Sequence, residues 1–252
     1  MQSIELLENE QLDNLELCGL RIIQKKDGFK FGTDAVLLSD FAKDIPSENT
    51  LDLCSGTGII PFLLYGKSKT RKFTAVEIQK DMAQMAQKSV ELNELSENIS
   101  VICADLKDSV KILGKRQFDL VTCNPPYLKN SIKNETDSKT IARHEVLCTL
   151  EDIIKASSEL LKTTGRIAMV HRPTRIAELL YLMRKYKLEP KRMRFVHKNI
   201  SSPPVLVLVE GLYGAKSDIN VQKPLILYDE DMQETDELKE IYGHLRGNKG
   251  EI

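Results

Sequence analysis

The chain has few of the residues on which disulfide-rich and metal-binding proteins depend. Among its 252 residues there are no tryptophans, four histidines and five cysteines, and no two cysteines are spaced as C-x-x-C. Structural zinc sites and disulfide frameworks need closely spaced ligands or paired cysteines, so we expect neither a metal nor a disulfide. Cys54, Cys103 and Cys123 fall in apolar, strand-like runs. We expect these three to be small buried residues.

Long apolar runs and a strong net charge are also missing. No run approaches the length that spans a membrane, and residues 1–5 are acidic rather than basic. We therefore expect no membrane segment, no signal peptide and a cytoplasmic protein. The formal net charge is -1, so the bulk charge indicates no polyanionic partner, and any such partner must be recognised by local charge.

Strand-like and helix-like segments alternate from residue 50 onward. The predicted strands are residues 51–53, 73–78, 99–106, 118–123, 166–171, 193–197 and 205–212. The predicted helices are residues 59–65, 80–92, 150–161, with Gly165 just past its end, and 175–186. This alternation predicts an α/β fold in which a mostly parallel sheet carries helices on both faces.

A hairpin and a helix are predicted before the alternating region. Asp27 and Gly28 stand between two apolar stretches, which is a hairpin-turn signal. The helix that follows, at residues 33–41, has a clear apolar face, and Thr33 or Asp34 can cap it.

These patterns divide the chain into three parts. Residues 1–31 are an N-terminal hairpin extension, residues 32–212 are the main domain, and residues 213–252, which include an acidic run, are a C-terminal appendage. Residues 128–142 are polar and without a period, so they form either a mobile loop over the site or a surface insertion.

A glycine-rich turn follows the first buried strand of the alternating region. Glycines at Gly56 and Gly58 let the backbone approach a ligand, and the helix that starts there presents backbone N–H groups. A dinucleotide fingerprint needs a third glycine where this chain has Pro61. Asp52 at the strand tip would repel a pyrophosphate and suits a cationic or zwitterionic ligand.

Polar side chains end the next three strands as well. Glu77 ends the second strand and can accept hydrogen bonds from both hydroxyls of a ribose. Asp105 ends the third and can accept from the exocyclic amine of an adenine. Asn124 ends the fourth. Since ligands of open parallel sheets bind at the carboxyl ends of the strands, these tips predict one binding site.

The fourth strand ends at two prolines, and the turn that they form indicates the kind of chemistry at the site. Pro125 and Pro126 stiffen the backbone and lack N–H donors, between Asn124 and Tyr127. Such a turn presents an amide, backbone carbonyls and an aromatic face, which suit a planar amino group. Cys123 precedes the turn and is expected to point into the sheet, so it is not a nucleophile.

The turn and the acidic tips together resemble the class I S-adenosylmethionine-dependent methyltransferases that act on amino nitrogens. The resemblance covers residues 30–212 and implies a seven-stranded sheet whose last strand is antiparallel. It implies cofactor-binding roles for Phe31, Gly32, Thr33, Asp52, Cys54, Gly56, Gly58, Glu77, Ile78, Asp105, Leu106 and Asn124. It implies catalytic roles for Asn124, Pro125, Pro126 and Tyr127.

The same turn occurs in enzymes that methylate adenine in RNA or DNA, glutamine in proteins and guanine N2. The segment from Phe31 to Leu38 makes the chain more similar to the bacterial tRNA adenine-N6 methyltransferase family. The alternatives are a protein-glutamine N5-methyltransferase, an rRNA or DNA amino-methyltransferase, and a non-catalytic S-adenosylmethionine-binding RNA-binding protein. Arg143, His144 and Glu145 are either a polar helix start or part of the substrate loop.

Local basic charge is consistent with an RNA partner. Residues 184–198 hold seven Lys or Arg and one Glu, interleaved with Tyr186 and Phe195, and Arg172 and Arg175 come shortly before. Basic and aromatic side chains together suit a phosphate backbone with unpaired bases, so tRNA is expected to bind around Arg172 to Lys198. A solvated basic face is the other reading.

Overall fold

A computed structural model describes residues 5–27, 32–126 and 148–243. This part of the chain has eleven strands, β1 to β11 in order: Glu10–Asn14, Arg21–Lys25, Asn49–Leu53, Lys72–Glu77, Ile99–Cys103, Phe118–Cys123, Leu161–His171, Leu188–His197, Pro204–Tyr213, Asn220–Val221 and Leu225–Ile226. It has seven α-helices, α1 to α7: Thr33–Ala42, Ile59–Lys67, Lys80–Leu92, Ser109–Leu113, Leu150–Leu160, Ile176–Lys185 and Asp236–Gly243. Short 3-10 turns lie at Leu106–Asp108 and Pro173–Arg175.

One large sheet organises the molecule. Seven strands follow the order β5-β4-β3-β6-β7-β9-β8, and the two-residue strands β10 and β11 pair with β8. The strands β3 to β7 are parallel, while β9 runs antiparallel to both β7 and β8. The predicted α/β class, the parallel sheet and the antiparallel last long strand are confirmed, and two very short strands add to the expected seven.

The sheet is buried on both faces by two hydrophobic clusters. Successive residues of β7 alternate between them: Ala168 and Val170 join the cluster that includes α1 and α2, whereas Ile167 and Met169 join the cluster that includes α5 and α6. Side chains of a strand point alternately to opposite faces. The helices therefore cover the sheet on both sides, as continuous apolar strands require.

An N-terminal hairpin is present upstream of the predicted Asp27-Gly28 turn, whose residues from Gly28 to position 31 lie outside the described residues. Strands β1 and β2 pair antiparallel, and the connection between them is residues 15–20, so Asp27 comes after the hairpin. The hairpin docks on α3, where the backbone N–H of Ile23 donates to Ser89 Oγ at 2.9 Å. A side-chain acceptor on α3 thus bonds a backbone N–H of β2, on the side where β2 has no further strand beside it among the described residues.

Residues 220–243 pack into the main domain. Leu225, Leu227, Leu238 and Ile241 are buried and belong to the cluster that includes α1 and α2. The Tyr242 hydroxyl also bonds the Thr33 hydroxyl at 3.2 Å. The C-terminal part is therefore in contact with the core through α7.

Two sequence expectations are wrong in detail. Gly165 lies inside β7, because α5 ends at Leu160 and the strand begins at the next residue. Cys103 is exposed, because β5 ends there and is the last strand at its side of the sheet. Within the described residues, none of the helices is long and apolar enough to cross a bilayer.

Candidate functional site

The strand tips predicted to form a site do meet at one edge of the sheet. Leu53, the last residue of β3, is the register partner of Val76 on β4 and of Cys123 on β6. Glu77 pairs with Cys103 at the end of β5. Parallel pairing therefore places the residues that follow β3, β4, β5 and β6 along a common carboxyl edge.

The glycine-rich turn between β3 and α2 has a left-handed backbone at three positions. The φ angles of Cys54, Gly56 and Gly58 are 58°, 57° and 84°. A side chain on Gly58 would also sit 3.4 Å from the Ala86 Cβ. Glycine is favoured at such positions, and the turn leaves the backbone open at the start of α2. This arrangement lets a ligand lie close to the main chain of the turn.

Asp52 is buried below this turn, and hydroxyl groups bind both of its carboxylate oxygens. Ser55 Oγ donates to Oδ2 at 2.5 Å, and Thr122 Oγ1 donates to Oδ1 at 2.6 Å. Burial raises the pKa of Asp52 to about 7, the two hydroxyl donors oppose this rise, and the charge of Glu77 adds to it. A nearby cation would offset the cost of the buried charge.

Glu77 holds the turn from the neighbouring strand. One carboxylate oxygen accepts the backbone N–H of Gly56 at 2.8 Å, and the other accepts the backbone N–H of Gln79 at 2.8 Å. The side chain is buried. Glu77 therefore connects the glycine-rich turn after β3 to the tip of β4.

Asp105 and its neighbours form the third part of the edge. The Asp105 carboxylate caps the 3-10 turn by accepting the backbone N–H of Lys107 at 2.9 Å, and Lys107 Nζ is 3.3 Å away. Leu106 is buried, while Ile78 at the tip of β4 is 37% exposed. An acidic acceptor beside an exposed apolar side chain can accommodate the polar edge and the face of a purine.

The proline turn follows β6 directly. Cys123 is fully buried, as predicted, and Asn124, half-buried, is the first residue beyond the strand. Pro125 is buried and Pro126 is exposed. Tyr127, the loop at 128–142 and Arg143 to Glu145 lie outside the described residues.

Gly32 and Thr33 open α1. Gly32 has an extended backbone and no side-chain cap, and Thr33 contacts Tyr242 of α7. Phe31 lies outside the described residues. The contact seen for this segment is thus with the C-terminal helix, and its predicted role in cofactor binding stays a prediction.

Sequence reasoning missed a group of three thiols. Cys54, Cys123 and Cys148 are far apart in the sequence, but hydrogen bonding links Cys54 to both other thiols. Contact with Cys123 and burial raise the pKa of Cys54, while contact with Cys148 opposes the rise; contact with Cys54 and burial raise the pKa of Cys148, and burial is the main cause of the raised pKa of Cys123. All three therefore stay protonated, and no metal-ligand cluster occurs among the described residues.

The basic segment 184–198 is not one surface. Strand β8 begins at Leu188, beside Tyr213, and ends at His197, close to the carboxyl edge that carries His171. Its first lysines and arginines therefore lie at the far edge from Asn124. Several of the basic side chains are also paired with carboxylates; the pairs are Arg184–Glu189, Lys185–Glu151, Arg192–Glu210 and Arg194–Glu237.

Comparison with known proteins agrees with this arrangement. The model of the methyltransferase small domain family matches residues 15–188, from the hairpin through the sheet edge to the start of β8. The chain belongs to the methyltransferase small domain family. The protein is accordingly a methyltransferase with S-adenosylmethionine as its methyl donor, and the glycine-rich turn above a buried carboxylate fits such a cationic donor.

Curated relatives of this chain carry a more specific name than the family does. A protein of Porphyromonas gingivalis is 30% identical over 72% of this chain and 73% of its own length, and is named tRNA1(Val) (adenine(37)-N6)-methyltransferase. A Trichodesmium erythraeum protein with the same name is 32% identical over 68% of this chain and 75% of its own length. The methyltransferase and these proteins are members of one family.

Solved structures share the fold. A crystal structure from Agrobacterium tumefaciens, described as a predicted O-methyltransferase, covers 87% of this chain and all of its own, with a TM-score of 0.69 and 21% identity. The M. jannaschii TYW2 structure, in complex with AdoMet, covers 83% of this chain and 87% of its own, with a TM-score of 0.56 and 16% identity.

Proposed function

We propose that this methyltransferase methylates adenine N6 in tRNA. The observation that carries the proposal is the position of Asn124, directly beyond Cys123, the fully buried last residue of the strand next to β3. The names of the curated relatives supply the substrate class. A terminal carboxamide one strand from the glycine-rich turn is what transfer to an amino nitrogen requires.

The chemistry follows from the acceptor atoms at this turn. An exocyclic adenine amine is a weak nucleophile because its lone pair is delocalised into the ring. The side-chain oxygen of Asn124 and the carbonyl of Pro125 accept its two N–H groups and so orient the lone pair. These bonds strengthen as positive charge develops on nitrogen. Tyr127 stacks on the base, a contact worth about 1–3 kcal/mol.

The carboxyl edge is proposed to hold the donor in the order of the strands. The glycine-rich turn around Gly56 and Gly58 contacts its methionine part, Glu77 accepts hydrogen bonds from the ribose hydroxyls, and Asp105 accepts one from the adenine amine. The bound donor supplies a methyl group on a sulfonium. The protein then needs only to align donor and acceptor, since the amine can lose its proton after transfer.

The test is methyl transfer from radiolabelled donor to either total tRNA or a release factor. We expect label in tRNA, and digestion to nucleosides should give N6-methyladenosine. Asn124→Ala should abolish transfer, with at least a hundredfold loss, because one of the two acceptors is removed. Its affinity for S-adenosylmethionine should change little.

Each other result has a defined meaning. Label in the release factor, with none in tRNA, would replace the proposal by protein-glutamine methylation. Undiminished transfer by Asn124→Ala would remove the role of the turn. Binding of tRNA without any label would make the protein a silent RNA-binding member of its family.

A further inference from the structure

The buried hydroxyl of Thr122 has no role in the chemistry described so far. Thr122 lies on β6 two residues before Asn124, and its Cα pairs in register with that of Asp52 on β3. Both side chains are almost completely buried, at 0% and 1% exposure. The two residues are therefore direct neighbours on one face of two adjacent parallel strands.

The local geometry commits this hydroxyl to Asp52. Its oxygen is 2.6 Å from Asp52 Oδ1 and 3.5 Å from the Leu51 carbonyl, so the carboxylate is the stronger acceptor. On either side of the pair, the register neighbours are Ala75 and Ala168, which have no polar side-chain atoms. Together with Ser55, Thr122 supplies the side-chain hydrogen bonds to Asp52 seen in the described part of the chain.

We propose that Thr122 is a positioning residue that, through Asp52, fixes the cofactor turn against β6, the strand that directly precedes Asn124. The connection runs from Thr122 Oγ1 to one Asp52 oxygen, and from the other Asp52 oxygen to Ser55 Oγ in the turn. It links β6, β3 and the turn by two short hydrogen bonds among three buried side chains. The inference rests on the proposed placement of S-adenosylmethionine at this turn.

The network also fixes the charge of the site. The hydrogen bonds that the two hydroxyl groups donate to Asp52 favour its carboxylate form. Burial and the negative charge of Glu77 favour the protonated form. The other titratable group in electrostatic contact with Asp52 among the described residues is the Cys123 thiol on β6. Removing the Thr122 donor shifts this balance toward the protonated acid, which attracts a sulfonium less.

The experiment compares binding of S-adenosylmethionine to full-length wild type, Thr122→Val and Thr122→Ser by calorimetry at pH 7 and pH 9. Valine keeps the shape and removes the donor, so affinity at pH 7 should fall about tenfold, the effect of one hydrogen bond to a charged group. At pH 9 the carboxyl ionises in both proteins, and the difference should shrink. Serine keeps the donor and should bind within about twofold of wild type.

The matched control is Thr50→Val, on the same strand as Asp52. Thr50 is 1% exposed and its hydroxyl bonds Ser47 Oγ at 2.8 Å, so the substitution removes a buried hydroxyl at the opposite end of β3. It should leave affinity for S-adenosylmethionine unchanged at both pH values. S-adenosylhomocysteine, which lacks the sulfonium charge, should show a smaller pH effect with Thr122→Val.

The outcomes separate this inference from the proposed function. An unchanged affinity of Thr122→Val at pH 7, or a loss that is equal at pH 7 and pH 9, would overturn the positioning role. The same pH-dependent loss in Thr50→Val would overturn it too. None of these measurements uses RNA, so a wrong substrate assignment leaves them intact, whereas no donor binding by wild type would overturn the placement and the inference together.

Discussion

The predicted contact of Asp105 with the cofactor can be tested by removing its side chain. Its carboxylate caps a short 3-10 turn and lies at the tip of β5. We expect Asp105→Ala to weaken binding of S-adenosylmethionine about tenfold, because the adenine amine loses a charged acceptor. Calorimetry measures the affinity directly.

The control for Asp105 is in the same turn. Asp108→Ala removes an exposed carboxylate three residues further on and should leave the affinity for the donor unchanged. Equal losses in the two variants would mean that the effect comes from the shape of the turn or from general charge. An unchanged affinity of Asp105→Ala would remove the adenine assignment.

Asp52 shows the cost of a buried charge at a functional site. Burial raises the pKa of Asp52 in the folded protein to about 7, above the ordinary aspartate value of 3.8. The folded state then binds the proton more strongly than the unfolded state, so this group stabilises the fold less as pH rises from about 4 through 7. The methyltransferase thus keeps an acid in a place where it opposes folding, and binding of a cation is the compensating gain.

Chemical type at the strand tips could be predicted from sequence, whereas contacts across the sheet could not. The acidic tips and the proline turn are local signals. The contact between Thr122 and Asp52 depends on strand register, since the two residues face each other across β6 and β3 and are 70 residues apart in the sequence. A threonine inside an apolar strand reads as an ordinary β-former when its partner is unknown.

At the scale of elements, the hairpin is held by close packing at one glycine of α2. A Cβ on Gly66 would lie 2.5 Å from both Cγ and Cδ2 of Leu17. Leu17 is buried, so it has little room to move. We expect Gly66→Ala to lower the free energy of unfolding by about 1–3 kcal/mol, as measured by urea denaturation.

A double variant identifies the cause of that loss. Leu17→Ala removes the clashing atoms but leaves a cavity of its own. The double variant should lose less free energy of unfolding than the sum of the two single losses, since the added methyl fills part of the cavity. Strict additivity would mean that Gly66 and Leu17 are not in contact in solution.

Element types were predictable and element ends were not. Alternating apolar patterns located the core strands, whereas β7 begins at Leu161, five residues before the predicted start. The capping box of Thr149 and Asp152 fixes the start of α5, but no glycine stops it. The hairpin of β1 and β2 was not predicted, because its connection at residues 15–20 is long and contains no Asp-Gly signal.

At the scale of the whole molecule, the net charge of -1 leaves RNA binding to local charge. Lys198 is exposed beyond the end of β8, on the side of the sheet where Asn124 lies. If tRNA crosses this edge, Lys198→Ala should weaken binding and reduce the slope of log affinity against log salt by about 0.7–0.9. Fluorescence anisotropy at several salt concentrations measures both.

Lys191 is the matched control for this surface. It lies near the start of β8, and its Nζ is 3.3 Å from the Lys216 carbonyl. Lys191→Ala should leave both affinity and slope unchanged. If Lys191→Ala reduced the slope as much as Lys198→Ala, the phosphate backbone would extend to the opposite edge of the sheet.

The pairing of β3 with β6 has a consequence for the rate of methyl transfer. Paired strands are about 4.8 Å apart, and the donor turn and the acceptor turn each continue from one of two such neighbours, Leu53 and Cys123. The spacing of the reactants is thus set by a hydrogen-bonded ladder rather than by a hinge between lobes. We infer that chemistry in the assembled complex proceeds at a rate independent of solvent viscosity, which then acts only on the arrival and departure of RNA.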